Sequence, residues 1–290
     1  MKHRGVLYNA MMSVPDGSGQ PQSTGLQVEF ALVSDTGRVR DHNEDCAGNS
    51  APDTVDRTRT HGWLFAVADG VGGHDLGEVA SRIAIDTLLA GFPEAVAGEP
   101  HSSVLQRLVQ AANIQIYETG RSTGPGGTPM ATTIVACALR HDRAVLAHVG
   151  DSRCYLVRQG RASQLTRDHT VVNEQVRLGI LSSREAARSA SRHVLSRSLG
   201  TDLFVGVETS DHQIYAGDVL LLCSDGLYDS LEATDIAACL QPDIPVDGAA
   251  ERLVALANER DGGDNITVQL IRVRSVERVG MYRGRPYKLR

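Results

Sequence analysis

The sequence predicts an α+β fold in which antiparallel sheets are covered by helices on the outside. Strand-like apolar runs come in blocks and helix-like segments come in pairs, so the regular strand–helix alternation of a parallel sheet is absent. The chain has 290 residues, of which 41% are hydrophobic, and can therefore bury a substantial core. It contains no internal repeat of about 20 to 50 residues.

The N-terminal third predicts a tail, two strands and two helices. Residues 1–25 are rich in Gly, Ser, Pro and Gln, which predicts a disordered N-terminal tail. The apolar runs at 27–34 and 62–68 predict strands. Apolar residues at helical spacing predict amphipathic helices over 77–92 and 103–119.

The middle of the chain predicts a meander followed by an insertion. The runs TTIVACAL, AVLAHVG and CYLVRQG are joined by short turns, so we expect three strands that pair in sequence. Residues 166–200 are polar and Arg-rich, which predicts a surface insertion. Further strands are predicted at 205–215, 218–223 and 265–273, and further helices at 233–240 and 248–259. Residues 275–290 are rich in Arg and predict an exposed basic C-terminal tail.

Charge and cysteine content limit the class of protein. The net charge is −6 and the pI about 5.9, which gives no support for a nucleic-acid-binding face. No apolar run approaches the roughly 20 residues that span a bilayer, and the N-terminus is not typical of a signal peptide. The five cysteines form no C-x-x-C pair, which predicts reduced core residues in a cytoplasmic protein.

Acidic residues border several of the predicted strands. Asp69 and Asp225 each end an apolar run and precede glycine; Asp151 follows AVLAHVG, Asp264 opens the last strand, and Glu44 and Asp45 follow the first. Because antiparallel strands end beside the starts of their neighbours, these acids can converge on one edge. A cluster of carboxylates without Cys or His suits a hard cation, Mg²⁺ or Mn²⁺.

Each motif, taken alone, also has a purely structural interpretation. Asp-Gly after a strand is a common turn signal, and one copy is better explained by a turn than by a site. Two copies, together with GDSR and GGDN, favour a shared site. GVGGHDLG lacks the third glycine of a dinucleotide motif, and the P-loop pattern is absent. His74 and His169 are candidate ligands or acids, or else polar loop residues that form hydrogen bonds.

The order of the motifs resembles that of a known family. The matching stretches are SDTGRVRDHNED, VADGVGGH, MATTIVACAL, AHVGDSR, LTRDHT, SRSLG, LLLCSDGLYD and DGGDNIT, which together extend over residues 27–273. In this order they resemble the metal-dependent Ser/Thr protein phosphatases of type 2C, in their bacterial form. The resemblance implies a four-layer α-β-β-α sandwich of two mostly antiparallel sheets flanked by helices. It also implies a catalytic domain over 26–274, with a flap at about 166–200.

The resemblance also implies roles for individual residues. By this resemblance, Asp69 bridges two metal ions, the Gly70 carbonyl binds the second ion, and Asp225 and Asp264 complete the ligands of the first ion. Glu44 and Asp45 act through metal-bound water, and Asp151 joins Asp225 at a third metal ion. Arg40 binds the substrate phosphate, and Asn265 supports the turn at Asp264. Val71 stands where animal relatives carry a histidine proposed as general acid. Ala131 stands where the family has glycine, and we expect little consequence.

The implied function is hydrolysis of phosphoserine and phosphothreonine in proteins, through a water activated by two Mn²⁺ or Mg²⁺ ions. Such an enzyme reverses a bacterial Ser/Thr kinase. We expect a cytoplasmic monomer that acts on phosphoproteins, with no nucleic acid and no membrane insertion. One alternative is a relative that acts on a small phosphorylated regulator. The other is a binding module without activity, whose signature, the loss of metal-binding acids, is absent here.

Overall fold

The computed structural model describes residues 5–9, 25–72, 75–123, 127–186, 188–282 and 285–288. Two antiparallel sheets dominate it. The first sheet has the strand order β1-β2-β13-β12-β9-β10 and the second has the order β11-β8-β7-β4-β3. The strands of the first are β1 (Gly5–Asn9), β2 (Gln27–Asp35), β13 (Ile266–Ser275), β12 (Val219–Cys223), β9 (Arg153–Arg158) and β10 (Arg161–Gln164). Those of the second are β11 (Glu208–Gln213), β8 (Arg143–Val149), β7 (Ile134–Arg140), β4 (Trp63–Ala68) and β3 (Cys46–Ser50).

Helices and two short strand pairs complete the secondary structure of the described residues. The helices are α1 (Val55–Thr60), α2 (Asp75–Gly91), α3 (His101–Ser122), α4 (Val171–Arg177), α5 (Ser183–Ala186), α6 (Asp225–Tyr228), α7 (Ala233–Cys239) and α8 (Val246–Arg260). The short pairs are β5 (Gly70–Val71) with β6 (Ala131–Thr132), and β14 (Val279–Tyr282) with β15 (Arg285–Lys288). Among these helices, none has both the length and the apolar character that a membrane span requires.

The strand sequences explain the layers. Every residue of β4 (WLFAVA) is buried, because one face packs on helices and the other on the opposite sheet. Leu64 and Ala66 lie in the core that the second sheet forms with α2 and α3, whereas Trp63 and Phe65 lie between the two sheets. A third core joins the outer face of the first sheet to α6, α7 and α8. This arrangement is the predicted α-β-β-α sandwich, so the fold-class prediction is confirmed.

The predicted three-stranded meander is wrong at its third strand. Strands β7 and β8 pair as expected, but β9 pairs with β12 and β10 in the other sheet. The turn between β8 and β9 therefore crosses from one sheet to the other. It contains Gly150, whose φ of 103° is unfavourable for other residues, followed by Asp151. A short connection between two apolar strands does not reveal whether both belong to one sheet.

Both predicted tails contain regular structure. Gly5–Asn9 pairs antiparallel with β2, although the composition of 1–25 predicted disorder. The edge of β2 offers unpaired backbone groups, and the apolar segment VLY can pair with it. At the other end, Val276 packs on the core between the sheets and Glu277 is buried, and β14 and β15 form a hairpin. The predicted basic tail therefore includes a buried segment at 276–277 and a hairpin.

Candidate functional site

The acidic residues at the strand ends come together where the two sheets meet. Asp69 directly follows β4, Asp151 lies between β8 and β9, Asp225 begins α6 after β12, Asp264 precedes β13, and Asp45 precedes β3. We call these five residues the acidic cluster. Burial, and then the charges of Asp45, Asp225, Asp151 and Asp264, hold the pKa of Asp69 well above its usual range. The cluster therefore joins residues from both sheets.

The pKa values of Asp225 and Asp151 are raised as well. Burial and the neighbouring charges of Asp151 and Asp264 raise the pKa of Asp225 well above the ordinary range. Burial raises the pKa of Asp151 to about 6, and the charge of Asp168 adds to this effect. Without a cation, the ionised forms of Asp69, Asp151 and Asp225 are less favourable than those of free aspartates, and a bound cation would reverse this effect.

Asp45 carries an unsatisfied oxygen into the cluster. Its Oδ2 accepts a hydrogen bond of 2.7 Å from the Ser224 hydroxyl. Its Oδ1 is buried and has no hydrogen-bond partner among the described residues. Burial raises the pKa of this carboxyl to about 6. A buried, orphaned carboxylate oxygen within an all-oxygen donor set fits a divalent cation such as Mg²⁺ or Mn²⁺.

The backbone at Asp69 is held from the neighbouring strand. The Asp69 N–H donates to Thr133 Oγ1 at 3.0 Å, and the Thr132 hydroxyl donates to the Asp69 carbonyl at 2.7 Å. Thr133 Oγ1 also lies 2.7 Å from the hydroxyl of Ser152, beside Asp151. The two threonines therefore connect the turns that carry Asp69 and Asp151. Sequence reasoning assigned them no such role and placed them only at the start of the predicted strand TTIVACAL.

Gly70 is required by close backbone packing. A Cβ at this position would lie 2.4 Å from the carbonyl carbon of Gly77 and 2.7 Å from the carbonyl oxygen of Glu44. The Gly70 N–H donates to that same Glu44 carbonyl at 3.2 Å. The Ser81 hydroxyl donates to it as well, at 2.6 Å. Only glycine permits α2 to pack this closely against the strand end that carries Asp69.

Arg40 lies at the mouth of the cluster. Its Nη2 is 2.7 Å from Oδ2 of Asp264, and half of its side chain is exposed to solvent. The charges of Glu44 and Asp225 also act on this guanidinium. An arginine at this place can present its fork of N–H donors to an anion that approaches the cluster.

Of the two histidines that the sequence singled out, His169 is described and is not positioned as a ligand of the cluster. Its Nδ1 accepts a hydrogen bond of 3.2 Å from the Gly150 N–H, and its Nε2 faces Glu208 at 3.2 Å. Burial lowers its pKa to about 4, so the ring is neutral near pH 7.

His148 stacks on His169 with an interplanar angle of 13°. Parallel rings cannot aim their in-plane lone pairs at one ion, so the histidine pair with Glu208 is structural. His74 lies outside the described residues.

Val71 is exposed and pairs with Ala131 in the short ladder beside the cluster. Its side chain has no proton to donate. Ala131 adopts a strand conformation at this place.

The predicted flap, residues 166–200, lies across one side of the site. It begins with α4 and α5 and closes with two isolated bridges, Thr170 to Leu195 and Leu199 to Thr132. Between the flap and α6 lies a cavity of about 320 Å³. Its lining includes Arg192, His193 and Asp229. Sequence reasoning did not single out His193, and its only signal was its place within the flap.

Comparison with known proteins agrees with this architecture. A family model described as Protein phosphatase 2C matches residues 47–256. The serine/threonine phosphatase stp of Listeria monocytogenes serotype 4b is 35% identical over 251 residues, which cover 85% of this chain and 95% of that protein. The family match extends over more than half of the chain and includes Asp69, Asp151 and Asp225.

Solved structures give the same result. The S. agalactiae serine/threonine phosphatase superposes with a TM-score of 0.77 at 35% identity and covers 85% of this chain and 99% of that one. The catalytic domain of the serine/threonine protein phosphatase PstP, in complex with two manganese ions, superposes with a TM-score of 0.73 at 35% identity. That match covers 86% of this chain and 100% of the PstP chain. The chain described here therefore belongs to the protein phosphatase 2C family.

Proposed function

We propose that this chain hydrolyses phosphoserine and phosphothreonine in proteins at the acidic cluster, with two Mn²⁺ or Mg²⁺ ions as cofactors. The observation that carries the proposal is the convergence of five buried or partly buried aspartates, one of which has an orphaned buried oxygen. Such a set of like charges is stable in its ionised form only with cations among them. The PstP relative, in complex with two manganese ions, supports the choice of metal.

Each acid has a proposed place around the cations. Asp69 would lie between the two ions, the Gly70 carbonyl would bind one, and Asp225 and Asp264 would bind the other. Glu44 and Asp45 would act through water, and Asp151 would join Asp225 at a third ion. When bound, the ions lower the pKa of a water molecule and offset the charge of the phosphate. The acidic side chains supply the oxygen ligands for this chemistry.

The protein groups around the cluster orient the reactants. Arg40 would exchange its contact with Asp264 for the phosphate oxygens of the substrate. Thr132 and Thr133 hold the Asp69 peptide, and Ser224 holds one oxygen of Asp45. Water attacks phosphorus in line, and the seryl or threonyl oxygen leaves with a proton. Because Val71 has no proton to give, that proton comes from water or from another group.

We further propose that the substrates are proteins phosphorylated by a bacterial Ser/Thr kinase, and that the chain acts as a cytoplasmic monomer. The relatives named as Ser/Thr phosphatases support the substrate class. The open edge at Arg40 supports it too, because a half-exposed arginine can be reached by a phosphate carried on a protein surface.

Hydrolysis of a phosphothreonine peptide tests this proposal. Turnover should require Mn²⁺ or Mg²⁺, stop with excess chelator, and fall at least a thousandfold in Asp69→Asn. Asp243→Asn removes an exposed carboxylate away from the cluster and should leave turnover unchanged. Full turnover in Asp69→Asn, or in the presence of chelator, would overturn the proposal that two metal ions at the acidic cluster catalyse the reaction.

A further inference from the structure

One histidine of the flap reaches the rim of the acidic cluster. One ligand atom from each of Asp151, Asp225 and His193 lies within 4.8 Å of the other two. In an octahedral site with bonds of about 2.1 Å, ligand atoms lie roughly 3 to 4 Å apart. A small movement of the exposed His193 ring would therefore bring the three atoms to bonding distance of one ion.

Among the described residues, no cationic side chain forms an ion pair with the carboxylate of Asp151. Asp151 is 5% exposed, and no described side chain donates a hydrogen bond to its carboxylate. The positive charge of Arg153 acts on Asp151, but this arginine binds Asp168 through two hydrogen bonds of 2.9 and 2.6 Å. Its guanidinium also stacks on the Tyr228 ring at 3.4 Å. Arg153 is therefore already bound to Asp168 and Tyr228, and the Asp151 carboxylate remains available to a metal ion.

We propose that the imidazole of His193 is the third protein ligand of a divalent cation held by Asp151 and Asp225, and that this ion holds the flap against the catalytic edge. The inference rests on the proposed function and goes beyond it by assigning a metal ligand to the flap. It makes the position of the flap depend on occupancy of one cation site. The two catalytic metal sites proposed above have only oxygen donors from the described residues.

The surroundings of His193 favour this role. Oδ2 of Asp229 lies 3.4 Å from Nε2 of His193. A carboxylate beside one ring nitrogen orients a histidine that binds a metal through the other nitrogen and increases its basicity, so Nδ1 is the nitrogen that would bind the ion. Because the site combines one nitrogen with two carboxylates, it should prefer Mn²⁺, Co²⁺ or Zn²⁺ over Mg²⁺. The metal preference of this site thus differs from that of an all-oxygen centre.

The backbone would transmit the constraint to the rest of the flap. The carbonyl of Val194, next to His193, accepts a hydrogen bond of 2.8 Å from the N–H of Val171, the first residue of α4. Fixing His193 therefore also fixes the start of α4. The flap contains several arginines, among them Arg177 and Arg184, which are cleavage points for trypsin. Its mobility can be measured by its rate of cleavage.

Pulsed EPR of the full-length, untagged protein loaded with Mn²⁺ tests the ligand directly. A bound imidazole gives a ¹⁴N hyperfine coupling that oxygen ligands cannot give. We expect this coupling in the native protein and in Val194→Ala, and its loss in His193→Ala. Val194 is an exposed neighbour, so its variant controls for changes in the flap itself. Coupling that persists in His193→Ala, or is absent from the native protein, would overturn the proposal.

Two further readouts separate this inference from the proposed function. Mn²⁺ should slow tryptic cleavage in the flap at least tenfold in the native protein and in Val194→Ala, but not in His193→Ala. The weakest Mn²⁺ affinity measured by calorimetry should fall at least tenfold in His193→Ala, and the two tighter affinities should remain. Native turnover with Mn²⁺ but without nitrogen coupling defeats only this inference. Absence of both Mn²⁺ binding and turnover defeats both proposals.

Discussion

The side chain of Asn265 holds the backbone of Glu44, a residue 221 positions earlier in the chain: its Oδ1 accepts a hydrogen bond of 2.8 Å from the Glu44 N–H. Its Nδ2 donates to the carbonyls of Thr36 and His42 at 3.0 and 2.9 Å. Asn265 is buried, so the loop from 36 to 45 is fastened to the start of β13 through one amide group. This loop carries Arg40, and its end carries the first two acids of the site.

Replacing Asn265 with Ala should therefore loosen the loop. Three partly buried backbone groups would lose their partner, which costs about 2 to 4 kcal/mol in the free energy of unfolding. Phosphatase turnover should fall at least tenfold, because Glu44 and Arg40 lose their positions. Denaturant unfolding and peptide hydrolysis measure the two effects. Asn265→Asp keeps the acceptor for Glu44 but turns a carboxylate oxygen towards the Thr36 and His42 carbonyls, so it should not recover the stability lost in Asn265→Ala. Equal stability of Asn265→Ala and the native protein would contradict this account.

Arg40 should matter for activity far more than for stability. Its contact with Asp264 is half exposed, and exposed ion pairs contribute about 0 to 1 kcal/mol. We expect Arg40→Ala to lower kcat/KM for a phosphopeptide by about 10- to 100-fold, with little change in the unfolding midpoint. Arg40→Lys should recover part of the loss, since it keeps the charge but lacks the fork. As a control, Arg82→Ala removes an exposed ion pair with Glu78 on α2 and should not affect kcat/KM.

Two helical glycines offer a matched comparison. A Cβ at Gly77 would lie 2.3 Å from Oε2 of Glu44 and 3.0 Å from the carbonyl carbon of Gly70. Gly77→Ala should displace both groups, lower stability by about 1 to 3 kcal/mol, and reduce turnover. Gly248 in α8 has no atom within 4 Å of the same position. Gly248→Ala should raise stability by about 0.5 to 1 kcal/mol and leave turnover unchanged. Similar effects of the two substitutions on thermal unfolding would refute the steric explanation.

His101 should make the protein less stable in acid. Burial, with the charge of Arg140 adding to it, lowers the pKa of His101 to about 4. Its Nε2 lies 2.7 Å from the carbonyl of His61. Because the folded pKa is below the unfolded value of about 6.5, the unfolded chain binds more protons between these values. Stability is therefore lost as the pH falls from about 6.5 to 4.

The size of this effect follows from the shift of the His101 pKa. The native protein should lose about 3 kcal/mol more than His101→Gln across this pH range, measured by denaturant unfolding in chelator. A comparison of slopes removes the contributions of other titrating groups, which both proteins share. Parallel stability curves for the two proteins would show that His101 does not carry the effect.

Much of the architecture could be predicted because it is encoded in short, local patterns. The run WLFAVA predicts a buried strand, and the Asp-Gly that follows it predicts a sharp change of direction at Asp69. The layers follow from the same runs, since strands that are apolar on both faces need two coverings. The roles of Asp69, Asp225 and Asp264 at metals, and of Arg40 at phosphate, remain predictions for the experiments above.

Other features depend on contacts that neighbouring residues do not encode. The sequence did not indicate that β9 crosses to the other sheet, or that Gly5–Asn9 pairs with β2. Pairing partners are chosen by the whole set of available edges, and a turn of three residues permits either choice. The same limit applies to Ser81 and Thr132, common polar residues whose hydroxyls hold Glu44 and Asp69.

The sandwich fold, the family and the carboxylates at the strand ends could be predicted from the chain alone, because apolar periodicity and motif order are properties of the sequence. Which of these groups interact depends on the folded arrangement of the chain. The tertiary structure buried Asp45 with an unsatisfied oxygen, tied Glu44 to Asn265, and brought His193 beside Asp151. The physical reason is that burial, pKa shifts and ligand geometry depend on distances between residues far apart in the chain, which folding alone establishes.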